Sequence, residues 1–286
     1  MSELFEKLCQ FITDSKENFF TLSMISETYG AENARFVATN RCQDSYSVAK
    51  AFVVTAAGIA YDRGLLRPSD RLTDILADLV PADIDPRWRQ ITVDDAMLHK
   101  MGLPSGFLDI DAQDSRAFGT DYLHYMFTYP FEKDPCVERC YTDGAYYLLS
   151  RAVEQVTGEP VDTLLWPILF SPLGFKEVAW SRCPQGHPMG ATGLYIRTED
   201  TVKLGEVYRC GGLWNGQRIV SEEWVNLVLS RGYELRPTGI GSSYAKGGMY
   251  GQKLAVFPDK KLSVAWHGFK GKGGDNLLQI IQDTPI

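Results

Sequence analysis

Asp44-Ser45-Tyr46-Ser47-Val48-Ala49-Lys50 runs straight into Ala51-Phe52-Val53-Val54-Thr55-Ala56-Ala57-Gly58-Ile59-Ala60-Tyr61. A polar segment gives way to a long apolar run, and a serine and a lysine stand three positions apart at the change. The run predicts a helix over 46–61 that is apolar nearly all round and therefore buried on most sides. Ser47 then falls in the first turn and Lys50 one turn on, on the same face. That spacing sets an amine beside a hydroxyl. A serine hydroxyl is a poor nucleophile until a neighbour takes its proton. A lysine can do so when its surroundings favour the neutral amine, at a cost of roughly 4 kcal/mol to bring it near neutrality. The helix N-terminus adds N–H groups suited to a developing oxyanion. Alone, S-x-x-K also describes an ordinary first-turn serine, so the rest of the chain has to decide.

The remaining elements follow from periodicity and punctuation. Leu4, Phe5, Leu8, Cys9, Phe11 and Ile12 predict an amphipathic helix over 3–15. Phe19–Ile25 and Ala34–Ala38 read as strands, with Gly30 and Asn33 marking a turn between them. Past Gly64 the texture changes to short helices, prolines and turns. Thr92 with Asp95 forms a weak capping box, and further helices are expected over 145–153 and 161–170. Thr198 and Ser221 each read as the cap of a later helix. Gly251–Phe257 and Leu262–Trp266 flank Pro258-Asp259-Lys260-Lys261 as an antiparallel hairpin, and 276–281 closes the chain as a short helix.

Strands near both ends enclose a helix-rich middle. The expected fold is therefore α/β of the α+β type: an antiparallel sheet built from N- and C-terminal strands, flanked by helices, plus a mostly helical second lobe. Residues 1–65 and 190–286 form the sheet domain, 66–189 the helical one, with the active site in the cleft between them.

Composition narrows the function. A chain of 286 residues with 44% hydrophobic content can bury a large core. A formal net charge of −7 with scattered basic residues argues against nucleic acid. The densest basic patch, Lys270-Gly271-Lys272-Gly273-Gly274, reads as a solvated loop. No run approaches a membrane span, and the charged start Met1–Lys7 has no signal-peptide pattern, so a cytoplasmic protein with reduced thiols is expected. Six cysteines and four histidines show no metal-binding spacing; neither metal nor cofactor is expected.

Two later stretches complete a set. Tyr141-Thr142-Asp143 and Lys246-Gly247-Gly248 follow Ser47-Val48-Ala49-Lys50 in order. With Gly64-Leu65-Leu66, the phrase Leu98–Pro104 and Gly193–Asp200, they make residues 40–286 resemble the serine beta-lactamase and penicillin-binding protein superfamily. The likeness is strongest to its class-C-like branch of beta-lactamase-related hydrolases and esterases, whose motifs are S-x-x-K, Y-x-N and K-T-G. The resemblance implies that Ser47 is acylated, that Lys50 accepts its proton, and that Tyr141 shares that role and protonates the leaving group. It implies that Lys246 holds Tyr141 electrostatically and steers a substrate carboxylate, with Gly248 beside it, and that the backbone N–H groups of Ser47 and Met249 form the oxyanion hole.

The chain departs from the family at three points. Asp143 replaces the motif asparagine and could pair with Lys50, Thr142 fills the middle position, and Lys100-Met101 stands where threonine-serine is usual. The reading is a serine hydrolase forming an acyl-enzyme on a small-molecule ester or amide. Beta-lactamase or D-alanyl peptidase-like activity, acyl transfer to an acceptor other than water, and a catalytically silent ligand- or protein-binding relative are the alternatives. Lys272-Gly273-Gly274 repeats the third motif's letters but follows the hairpin, and His267 near a strand end either faces the cleft or caps the sheet.

Overall fold

The computed structural model describes residues 1–269 and 274–285. The basic stretch 270–273, with most of the Lys272-Gly273-Gly274 repeat, lies outside the described residues. The chain opens with helix α1 (Glu3–Ser15), strand β1 (Phe19–Ser26), strand β2 (Gly30–Arg35) and strand β3 (Cys42–Asp44). A 3-10 turn (Tyr46–Val48) leads into α2 (Ala49–Asp62). Then come α3 (Leu72–Ile75), α4 (Val93–Met97), α5 (Tyr122–Thr128), α6 (Asp143–Thr157) and α7 (Val161–Leu165). The last part holds β4 (Val178–Trp180), β5 (Leu194–Arg197), α8 (Thr198–Arg209), β6 (Leu213–Trp214), β7 (Gln217–Arg218), α9 (Glu222–Arg231), β8 (Arg236–Pro237), β9 (Tyr244–Gly247), β10 (Lys253–Phe257), β11 (Leu262–Gly268) and α10 (Gly274–Asp283).

Contacts group the chain into two compact units. The first is Met1–Ala51, Leu169–Ala179 and Leu194–Ile286; the second is Phe52–Ile168 and Trp180–Gly193. The first unit carries a six-stranded sheet in the order β2-β1-β11-β10-β9-β8, whose neighbouring strands pair antiparallel. Alternation along the strands sorts its faces. Leu22 and Met24 of β1 and Leu262, Val264 and Trp266 of β11 join Leu4, Phe5 and Leu8 of α1 and Leu277, Leu278 and Ile281 of α10 in one core. The opposite face packs against α8: a side chain at Gly205 would strike Leu254 and Ser263, and Thr21 hydrogen-bonds Thr198. In the second unit, Trp88 packs edge-on against Phe127 at 5.0 Å and Tyr146 donates to the Met97 carbonyl at 3.1 Å, seating α6 beside α4.

Two local expectations need correction. Gly30–Asn33 belong to β2, whose residues alternate between exposed and half-buried; an edge strand this polar has the composition of a turn. Thr198 is the first residue of α8 and Arg197 its cap position, because the Thr198 hydroxyl is turned to Thr21 on the sheet. The Thr92 capping box has both arms in place, and Ser221 accepts from the Trp224 N–H at 3.1 Å.

Candidate active site

The first unit carries Ser47, Lys50, Lys246, Gly248 and Met249. Tyr46 has φ +47°, a conformation bulky residues rarely take, and its N–H donates to the Asp44 carboxylate at 2.7 Å. This kink ends the β3 segment and starts the 3-10 turn carrying Ser47. Side chains three apart eclipse in such a turn. Lys50, the second residue of α2, accordingly brings Nζ to 3.0 Å from Ser47 Oγ, and its side chain is fully buried while Ser47 stays half-exposed. The first-turn placement expected for Ser47 becomes one turn earlier and tighter, with the same pairing.

Lys246 lies on β9, opposite Leu254 of β10, and so on the α8 face of the sheet. It is buried and forms an ion pair with Glu234, itself buried. Gly248 follows β9 and runs against the serine turn: a Cβ there would lie 2.8 Å from the Ser45 carbonyl oxygen and 2.6 Å from Gln252 Oε1. Only glycine allows this approach. The Gly248 N–H donates to the Gln252 carbonyl and the Tyr250 N–H to Gln252 Oε1, which leaves the Met249 N–H between them without an acceptor among the described residues. That suits the oxyanion-hole role the resemblance gives it. Around Ser47 stands an aromatic wall. Tyr46 meets Tyr250 edge-on at 4.9 Å, Tyr250 stacks on Phe269 at 4.4 Å, and Met249 and Phe269 are exposed.

The second unit carries Tyr141 and Asp143. The Tyr141 ring lies 4.4 Å from that of His99, tilted by 34°, with the Arg139 guanidinium 5.6 Å above it. His99 is buried at φ +58° with Nδ1 3.1 Å from the Thr142 carbonyl oxygen and 3.3 Å from the Thr142 nitrogen; the Thr142 hydroxyl donates to the Phe107 carbonyl at 2.9 Å. These bonds fix the backbone on which Tyr141 stands. Asp143 is the first residue of α6 and is buried. A carboxylate there meets the positive end of the helix dipole, which accounts for an aspartate at the asparagine position. At Gly144 a Cβ would lie 2.9 Å from the Phe107 ring, so the chain can pass only with glycine.

His267 is the penultimate residue of β11, near the strand end as expected, paired with Thr21 and on the α8 face with Ser263 and Ala265. It is buried, neither ring nitrogen has a hydrogen-bond partner among the described residues, and burial lowers its pKa to about 4. It therefore belongs to the sheet interior. All six cysteines are unpaired; burial, followed by the nearby Asp95 carboxylate, pushes the Cys136 thiol up to about 12. Among the described residues no cluster of three or more His, Cys, Asp or Glu could hold a metal, and no helix is long and apolar enough to cross a membrane.

Sequence reasoning missed Glu234 and the Tyr46–Tyr250–Phe269 wall. A single acidic residue between a helix and a two-residue strand has no spacing signal. The three aromatics come together only through the turns that follow β9 and β11.

The beta-lactamase family model matches residues 26–273, and the chain belongs to that family. Penicillin-binding protein 4 of Amycolatopsis lactamdurans is 29% identical over 142 residues, covering 49% of this chain and 36% of that protein. The chain spans 25% to 37% of the length of the curated relatives it matches. Among solved structures, a penicillin-binding protein homolog from Caulobacter crescentus superimposes with a TM-score of 0.74 over 97% of this chain and 95% of its own, at 15% identity. A family VIII carboxylesterase does so with a TM-score of 0.72 over 98% and 95%, at 14% identity. The fold, a mainly antiparallel sheet flanked by helices, is that of the beta-lactamase and transpeptidase structures.

Proposed function

We propose that the protein is a serine hydrolase that cleaves a small ester or amide through an acyl-enzyme on Ser47. The observation that carries this is the 3.0 Å contact between Ser47 Oγ and the buried Lys50 Nζ. In its neutral form the amine accepts the Ser47 proton as Oγ attacks the substrate carbonyl. The negative charge that develops on the carbonyl oxygen is met by the Ser47 and Met249 N–H groups, donors of this kind being worth roughly 3 kcal/mol each. Collapse of the tetrahedral intermediate breaks the bond to the leaving group, which takes a proton through Tyr141 in the role the resemblance gives it. Water then attacks the Ser47 ester, and the same groups return the proton to Oγ. The kinship to a carboxylesterase fold and the aromatic cluster of half-buried Tyr46 and Tyr250 with exposed Phe269 support an ester or amide of modest size. Six unpaired cysteines support a reducing compartment, the cytoplasm.

A fluorophosphonate probe tests this reading. Wild type is expected to label and Ser47→Ala not to. A wild type that does not label, with folding intact by circular dichroism, overturns it. Hydrolysis of p-nitrophenyl esters without turnover of nitrocefin separates esterase from lactamase activity.

A further inference from the structure

Lys246 does not stand on β9 as an isolated positive charge. Its ammonium contacts the carboxylate of Glu234, and both side chains are withdrawn from water, at 8% and 3% exposure. The local fold commits Glu234 to this position. Helix α9 ends at Gly232 in the left-handed conformation, and Tyr233 turns inward, buried, with its N–H on the Val228 carbonyl and its ring 6.3 Å from Trp224. Glu234 follows at φ +64°, and two residues later Arg236 pairs with Ala245, the neighbour of Lys246. An anchored aromatic on one side and a strand pairing on the other hold the carboxylate against the lysine. A non-glycine residue is kept in the left-handed region only where its surroundings over-determine it.

The pair is net neutral. A carboxylate approaching Lys246 also meets the carboxylate of Glu234, in surroundings where charges act more strongly than in water. The residues that follow Gly248, Met249 and Tyr250, are uncharged, as are Tyr46 and Phe269, whose rings meet that of Tyr250. From this juxtaposition we propose that the site selects uncharged substrates, esters or amides without a carboxylate beside the scissile bond, and that Glu234 is the specificity-determining residue that rejects charged ones. This rests on the serine-hydrolase reading and adds the substrate class to it.

The test compares kcat/KM for phenyl acetate with that for 3-acetoxybenzoate, the same acetyl ester carrying a carboxylate on the leaving group. Wild type is expected to prefer phenyl acetate by about 10-fold or more. In Glu234→Gln, where Lys246 keeps a hydrogen-bond acceptor but loses the opposing charge, that preference is expected to shrink about 10-fold. Glu234→Asp should preserve it. Fluorophosphonate labelling of each variant reports whether Ser47 remains reactive. Equal use of both esters by wild type, or the same preference in Glu234→Gln with labelling intact, overturns this inference and leaves the hydrolase reading standing. Loss of both hydrolysis and labelling in wild type overturns the two together.

Discussion

His267 makes the stability of the sheet dependent on pH in a way one substitution can isolate. Its imidazole is buried, with neither nitrogen partnered among the described residues, and burial lowers its pKa from 6.5 to about 4. Because the folded-state value lies below the unfolded one, the unfolded chain binds the proton more readily between these limits. The stabilisation from keeping this group neutral is complete above about pH 6.5 and is lost as pH falls toward 4. The full change is roughly 3 kcal/mol, and about 2 kcal/mol is lost by pH 5. His267→Leu removes the titration and replaces unpaired polar atoms with apolar ones, a change that is nearly neutral or stabilising at pH 7.5. Urea unfolding of both proteins at pH 7.5 and pH 5 is the assay. The other three histidines are common to both and cancel in the comparison. The wild type should lose about 2 kcal/mol more than the variant between the two pH values. Equal losses would show that His267 does not carry this pH dependence.

Three further substitutions probe the site and its supports. Lys50→Met should lower kcat for p-nitrophenyl acetate by about 100-fold or more with a folded protein by circular dichroism, as expected when a proton acceptor is removed. Gly248→Ala forces a methyl to within 2.8 Å of the Ser45 carbonyl, so the turn must shift; kcat should fall at least about 10-fold while the urea midpoint moves little. Thr92→Ala removes the arm of the capping box that accepts the Asp95 N–H and should cost about 1 kcal/mol in urea unfolding without changing ester hydrolysis.

Much of this could be read before any coordinates. Apolar spacing announced α1, the break at Pro258–Lys261 announced the β10–β11 hairpin, and S-x-x-K announced the Ser47–Lys50 pair, because each signal is local. Where contacts come from distant parts of the chain, the letters say less. The polar edge strand β2 has the composition of a turn, and Thr198 has the composition of a cap until Thr21 claims its hydroxyl. His267 could be placed on a strand but not on a face, since that depends on register with β1. Glu234 is the clearest case: its carboxylate reaches Lys246 only because β8 pairs beside β9. Asp143, a departure from the family pattern as a letter, takes its physical sense from standing at the start of α6.

Acylation of Ser47, with Lys50 taking its proton, leaves a covalent intermediate that can be trapped. The protein is mixed with p-nitrophenyl acetate, quenched in acid within the first turnovers, and mapped by peptide mass spectrometry. One acetyl group is expected on the peptide containing Ser47, absent in Ser47→Ala and formed far more slowly in Lys50→Met. An acetyl group on another residue, or ester hydrolysis that persists in Ser47→Ala, would contradict it.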